Sequence, residues 1–479
     1  MTAPPLRAVA GPAGLPVLNC LPSFRRDPLG FMTGLSDNAG DSVTVSLAQK
    51  RCLFIFHPAH IAELLAAKER TFGIQQPGWA FRRAAGQSVL LSTGAEWRRK
   101  RALVQPVVRP RRTRANAPVM VDCAQALADT WRDGMRIDVY AHMVLLTRRV
   151  LLRTLFGDDI RGAMGGLDEA LATAERIVGA EIRSLGQFLP GWVPAPGRIG
   201  LRRAVSVIDA EVGRLIRNRQ AAGGTHQRED LLCRLLEARD HCGRPLSAQE
   251  VRDEAVTLLV TGQATVATAL TWCWHLLSGH PHAVELLEAE LVQVLAGRAP
   301  SVDDYQDLIV TRQILREALR LYPPLWLSLA VAQDGAVLGN AAIPAGTTVL
   351  HSPWITQRDP RWFSDPAEFR PERWHPHRHD PLGDRAWLPF GSGARACLGA
   401  HFAQTMAVLL LATLAQRFRL DVLEAPRGLY TGLLLQPDPP LTATVRDRRT
   451  SARRSPGDGS LCGPPDDRRG TAHFTHATP

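Results

Sequence analysis

Apolar and polar residues alternate from Asp41 to Leu47 (Asp-Ser-Val-Thr-Val-Ser-Leu) and an apolar run follows from Cys52 to Phe56. This pattern predicts two strands joined by a polar turn at Ala48–Arg51. His57-Pro58 stops the second strand, because proline has no backbone donor. The period then changes: Ile61, Leu64 and Leu65 recur at helical spacing between Pro58 and Arg70. Residues 73–93 lose periodicity and read as a long loop carrying Trp79, Phe81, Leu90 and Leu91. A basic helix opens at Glu96, amphipathic helices alternate over 118–183, and another basic helix covers 201–219. Between the last two, Pro190-Gly-Trp-Val-Pro-Ala-Pro-Gly-Arg198 breaks the pattern, and 220–229 read as a polar loop.

Ser247-Ala-Gln-Glu250 is a capping box, which satisfies two helix-terminal donors reciprocally. It opens an apolar segment reaching Gly279, nearly three times the usual helix length of about 11–12 residues. A helix over Gln313–Tyr322 ends at Pro323-Pro324, and Glu317 and Arg320 share one of its faces. Short strands are expected over 325–356, a meander over 366–374, a helix from Gly399 to about Arg417, and short strands over 418–445 with an apolar tip at Gly432-Leu-Leu-Leu. The organisation expected is an irregular segment 1–22, one domain 23–445, and a disordered tail 446–479 rich in Arg, Ser, Gly, Pro and Asp. No internal repeat is visible.

Composition narrows the function. Hydrophobic residues make 45% and charged residues 22% of the 479, enough apolar material for a sizeable core. The net charge of +11 suits an acidic partner or an anionic surface. No zinc-finger spacing, RNA-binding aromatic signature or leucine zipper accompanies it, which argues against nucleic acid. Eight cysteines are scattered without a C-x-x-C pair, so neither a zinc site nor a disulfide framework is expected, and a reducing cytoplasm fits. The first residues have no apolar run of membrane-spanning or signal-peptide length, so a cytoplasmic protein without a membrane anchor is expected.

The chemistry concentrates in Trp387-Leu-Pro-Phe390-Gly391-Ser392-Gly393-Ala394-Arg395-Ala396-Cys397-Leu398-Gly399. Gly391 and Gly393 permit a tight loop. Cys397 precedes an apolar helix, where unpaired N–H groups and a nearby arginine favour a thiolate. A thiolate presented this way suits a single axial ligand of a haem iron. A buried structural cysteine beside a glycine turn is the plain alternative.

The stretch resembles the haem-binding signature of the cytochrome P450 family, Phe-x-x-Gly-x-Arg-x-Cys-x-Gly, with Phe390, Gly393, Arg395, Cys397 and Gly399 on the pattern. Three further motifs resemble the family's in order: Trp97 with Arg101, Gly262 with Thr265, and Glu317 and Arg320 with Arg373. The resemblance, over about 20–445, implies a mainly α single domain with a smaller β region. It implies haem b with Cys397 as the iron ligand and with Trp97, Arg101, Phe390, Gly391, Gly393, Arg395 and Gly399 around it. Thr265 and Gly262 then stand where dioxygen is activated, and Glu317, Arg320 and Arg373 are structural. The implied function is a bacterial-type monooxygenase acting on a small hydrophobic molecule. Its electrons come from NAD(P)H through a reductase and a ferredoxin or flavodoxin, for which the arginines at 98, 99 and 109–114 and Lys100 offer a docking surface. A monomer is expected.

Three positions depart from the family pattern. An acid usually stands where Ala264 is, an arginine where Ala330 is, and a histidine where Gln357 is. The first leaves proton delivery without its usual carboxylate. It keeps open a haem-thiolate enzyme that uses peroxide, or one that isomerises or dehydrates. A non-catalytic haem-binding or sensory protein is the remaining alternative.

Overall fold

The computed structural model describes residues 6, 9–10, 19–74, 78–157, 164–183, 197–221, 230–378 and 381–448. The loops expected at 190–198 and 220–229 fall almost wholly outside these residues, as does the tail from 449 onward.

The expected hairpin forms as β2 (Ser42–Leu47) and β3 (Lys50–Ile55), with Leu47 facing Lys50 across the turn. It belongs to a six-stranded sheet completed by β1 (Val9–Ala10), β4 (Phe72–Ile74), β6 (Ser328–Ala332) and β9 (Thr348–His351), in the order β1-β2-β3-β9-β6-β4. The small pairs are β7 (Val337–Leu338) with β8 (Ala341–Ala342) and β11 (Gly428–Thr431) with β12 (Leu435–Asp438). A third sheet orders β10 (Phe418–Val422), β13 (Thr442–Asp447) and β5 (Arg136–Asp138).

Helices dominate. They are α1 (Leu21–Arg26), α2 (Pro28–Ala39), α3 (Pro58–Ala67), α4 (Trp79–Ala85), α5 (Gly94–Val104), α6 (Pro110–Ala128), α7 (Val139–Phe156) and α8 (Met164–Arg183). After them come α9 (Arg198–Ala221), α10 (Leu231–Glu237), α11 (Ala248–Gly279), α12 (Pro281–Leu295), α13 (Ile309–Leu321), α14 (Pro353–Thr356), α15 (Pro381–Ala386) and α16 (Ala400–Ala415). The capping box at Ser247 and Glu250 is made as the sequence predicts, and α11 runs 32 residues. Its length and hydropathy would let it cross a bilayer, but most of it is buried in the helical core, where α7 and α16 pack against it.

Several expectations need correcting. The stretch 73–93 is no continuous loop: Trp79–Ala85 forms a helical turn pair whose Ala80 and Ala85 are buried. Helix α6 starts at Pro110, which takes the tolerated first position, and continues through Pro118. Strand β5 interrupts the helices of 118–183, because Ile137 pairs with Ala443. Segment 1–22 contributes β1 to the main sheet, and β13 carries the third sheet past 445 to Asp447, where Phe418 is its partner.

Helix α13 is fastened by Glu317. Its carboxylate accepts from Arg320 (2.9 and 2.8 Å), Arg373 Nε (2.9 Å), Trp374 Nε1 (2.8 Å) and the Arg370 N–H (3.0 Å). Glu317 and Arg320 are fully buried. Gln357 extends this network: its amide donates to the carbonyls of Leu319 (3.0 Å) and Arg320 (2.9 Å), while its oxygen accepts from the Leu388 N–H at 2.7 Å. A buried carboxamide, with donors and an acceptor, thus ties α13 to the root of the cysteine loop.

Candidate active site

One cavity of about 1710 Å³ lies between α11, the cysteine loop and the edge of the main sheet. Single-ligand pockets are typically about 300–1,000 Å³, so it has room for a prosthetic group and a second molecule. Leucines from several elements line it, among them Leu90 and Leu91, Leu325 and Leu327, and the tip Leu433 and Leu434.

The cysteine loop forms one wall. Gly391 (φ +63°) donates to Leu388 O, and the Cys397 N–H returns to Phe390 O at 2.9 Å. Phe390, Gly391, Arg395, Cys397 and Gly399 line the cavity. Gly393 does not. Its φ is +70°, and a side-chain carbon there would stand 2.4 Å from Leu65 O, so this glycine lets the loop press against the end of α3.

Cys397 is exposed to the cavity. Its thiol is nonetheless pushed up, chiefly because protein surrounds it on the other sides; the Gly399 N–H and the Arg101 charge pull it down. From the sequence, the helix N-terminus and a nearby arginine were expected to favour the thiolate. Burial outweighs the local dipole here, and a bound metal would deprotonate the sulfur. The arginine that acts on it is Arg101, from α5.

The basic residues are more engaged than the sequence suggests. Arg101 Nη1 donates to Ala396 O at 2.9 Å. Arg395 lies over the Trp97 ring, 4.8 Å from its centroid. Its guanidinium donates to Glu69 Oε1 (2.6 Å), to Leu90 O (3.3 Å) and to Ser92 O. Glu69 had no signal in the sequence, where it falls at the end of the helical stretch Pro58–Arg70. Of the expected docking surface, Lys100 is buried and donates to Gln87 O, and Arg99 pairs with Glu250 and Glu96. Arg98, Arg109 and Arg111 remain exposed.

Helix α11 forms another wall. Thr261, Gly262, Ala264 and Thr265 line the cavity. Thr265 Oγ1 donates to Thr261 O at 2.8 Å, which leaves its lone pairs as acceptors. The absent side chain of Gly262 faces Leu151 of α7, 3.0 Å from where a Cβ would be, so the glycine also serves helix packing. Gln263 is turned away: it bonds Arg148 Nε (3.0 Å) and Glu175 Oε2 (3.3 Å) in a buried network on α7 and α8.

These features define a helical domain with an apolar cavity, a cysteine loop on one side and a hydroxyl-bearing helix on the other. The sequence matches the cytochrome P450 family model over residues 9–444, and the chain belongs to that family. It is 34% identical to cyclooctat-9-en-7-ol 5-monooxygenase of Streptomyces melanosporofaciens, over 88% of this chain and 91% of that protein. It is 32% identical to cyclooctatin synthase of the same organism, over 92% and 94% of the two chains. Pentalenene oxygenase of Streptomyces avermitilis is also 32% identical, over 86% of this chain and 92% of the relative. Membership implies a haem held by a cysteine thiolate, small-molecule substrates and a redox partner. The residues fit such a group: an open thiol, a loop free of side-chain bulk at Gly391, and the half-buried cations Arg101 and Arg395 at the cavity edge.

Proposed function

We propose that the chain is a haem-thiolate monooxygenase that hydroxylates or otherwise oxygenates an alicyclic hydrocarbon or alkenol of terpenoid type. The observation that carries this reading is the juxtaposition of Cys397 and Thr265 across one leucine-lined cavity. The names of the relatives support the substrate class.

In this reading haem b supplies dioxygen activation, with electrons from NAD(P)H delivered through a reductase and a ferredoxin or flavodoxin. Cys397 would ligate the iron, and Phe390, Gly391 and Gly399, which line the cavity beside it, would hold the group there. Arg101 and Trp97 would stand by its carboxylates, with Arg395 stacked on the Trp97 ring and holding it in place. The leucines exclude water and hold an apolar substrate by contact, which discriminates by shape. Thr265 accepts a hydrogen bond from a water and orients it, and Gly262 keeps α11 close to α7. Ala264 offers no titratable group, so protons arrive through ordered water or a substrate hydroxyl. Exposed Arg98, Arg109 and Arg111 serve an acidic partner. The chain acts as a cytoplasmic monomer.

The test has two parts. The reduced carbonyl complex should show the red-shifted Soret band of thiolate ligation, and Cys397→Ala should abolish it. With a ferredoxin, its reductase and NADPH, the protein should insert one atom of labelled dioxygen into a cyclic terpene or terpene alcohol. A Soret band that survives Cys397→Ala removes the ligand assignment. Product formed with peroxide but never with dioxygen favours the peroxide-using alternative that Ala264 suggests.

A further inference from the structure

A cluster at the sheet edge of the cavity is unused by this reading. Lys68, the residue after α3, is only 9% exposed, and its ammonium contacts Ser328 Oγ at 3.4 Å. Ser328 faces His351 in the antiparallel register of β6 and β9, so both side chains stand on one face of the sheet. Ala330 lies two residues along β6 on that same face. His351 is 3% exposed, and both its ring nitrogens lack a hydrogen-bond partner. All three polar residues line the cavity.

Charge makes the arrangement one-sided. No acidic side chain pairs with Lys68 among the described residues, and the charge it feels is that of Arg395. Burial, then Arg395, lowers its pKa to about 8; burial, then Lys68, lowers that of His351 to about 3. A buried cation and a buried unpaired imidazole are both costly unless something answers them. Arg395 itself is committed to Glu69 and two carbonyls, so its capacity for a further anion is largely spent.

We infer that Lys68, Ser328 and His351 form an anion pocket that binds one carboxylate of the porphyrin, in place of the arginine that β6 lacks at Ala330. Lys68 supplies the charge, Ser328 its hydroxyl and neutral His351 one ring N–H. Arg101 and Trp97 then hold the other carboxylate. The inference rests on the haem reading above.

The test uses the full-length holoprotein. Haem transfer to excess apomyoglobin and the ferric/ferrous midpoint potential are measured for the parent, Lys68→Met, Lys68→Arg and His351→Phe. Lys68→Met should lose haem about ten- to a hundredfold faster, the value of one charge-assisted hydrogen bond. Its potential should shift negative, because an unanswered carboxylate favours the ferric state. Lys68→Arg should restore both, and His351→Phe should show a smaller loss of the same kind. Parent-like transfer and potential in Lys68→Met overturn the inference. So does faster loss with an unchanged potential and no rescue by arginine, which marks a merely structural lysine. If neither Lys68 variant folds, Ser328→Ala and His351→Phe decide by the same two measurements. A parent lacking the thiolate Soret signature defeats the haem reading itself, a separate outcome.

Discussion

Thr265 is held by its own helix, its hydroxyl donated to Thr261 O and its lone pairs left towards the cavity. Next to it Ala264 is small and apolar where a proton relay would use a carboxylate. Gln263 cannot substitute, since its amide is consumed by Arg148 and Glu175 away from the cavity. Turnover on a generic apolar substrate should therefore be poorly coupled, with much NADPH lost to hydrogen peroxide. Thr265→Ala should lower product per NADPH further, by about tenfold or more. Ala264→Glu should raise it, provided the carboxylate is accommodated. The ratio of product to NADPH consumed checks both. Tight coupling in the parent, indifferent to Thr265→Ala, would mean that protons travel by another route. Thr265 and Ala264 were legible in the sequence because they sit inside a spaced motif on one helix. The engagement of Gln263 was not, because it depends on α7 and α8 being packed alongside.

Two elements carry the loop that holds Cys397. One contact is steric: Gly393 meets the last turn of α3 at a distance no side chain tolerates, with a left-handed backbone as well. Gly393→Ala must push α3 and the loop apart, and should cost about 2–4 kcal/mol from strain and overpacking together. Reduced haem content and a lower thermal midpoint would report it. The other is electrostatic. Glu317 joins α13 to the segment around Arg370 and Arg373, and Gln357 passes the connection on to Leu388. Glu317→Gln leaves Arg320 buried beside a neutral amide, and breaking such a pair typically costs about 3–5 kcal/mol. The denaturant midpoint should fall accordingly; a parent-like midpoint would show that backbone carbonyls alone satisfy Arg320.

At the scale of the molecule, the first turns of α11 strap down the segment that covers the cavity. Asp253 accepts from the Gln87 N–H and Glu254 from the Val89 N–H, both at 2.7 Å, while Lys100 donates to Gln87 O. Burial raises the Glu254 pKa from 4.5 to about 8, against the pull of the Val89 N–H and Lys100. A folded pKa above the unfolded one means the folded state holds its proton more tightly. The stability from this group is complete below 4.5 and is lost as pH rises through about 8. The thermal midpoint of the parent should decline across that window relative to Glu254→Gln, which cannot titrate. Substrate affinity should weaken over the same range, because the strapped segment includes cavity-lining Val89. Parallel pH profiles for the two proteins would remove Glu254 from the account.

Local signals settled much of this in advance. The β2–β3 hairpin, the capping box that opens α11, the Glu317 face of α13 and the spacing around Cys397 are written in neighbouring residues. Periodicity and turn chemistry act over a few positions, so they can be read from a single chain. Tertiary structure alone decided the rest. Trp79–Ala85 becomes helical under its packing, and β5 exists because Ile137 meets Ala443. Glu69 takes Arg395, Gly393 serves α3, and Lys68 joins Ser328 and His351 although 260 residues separate Lys68 from Ser328. Burial also outweighs the helix terminus at Cys397. Desolvation and ion pairing depend on which surfaces meet in space, and contacts between distant segments leave no periodic trace in the order of the residues.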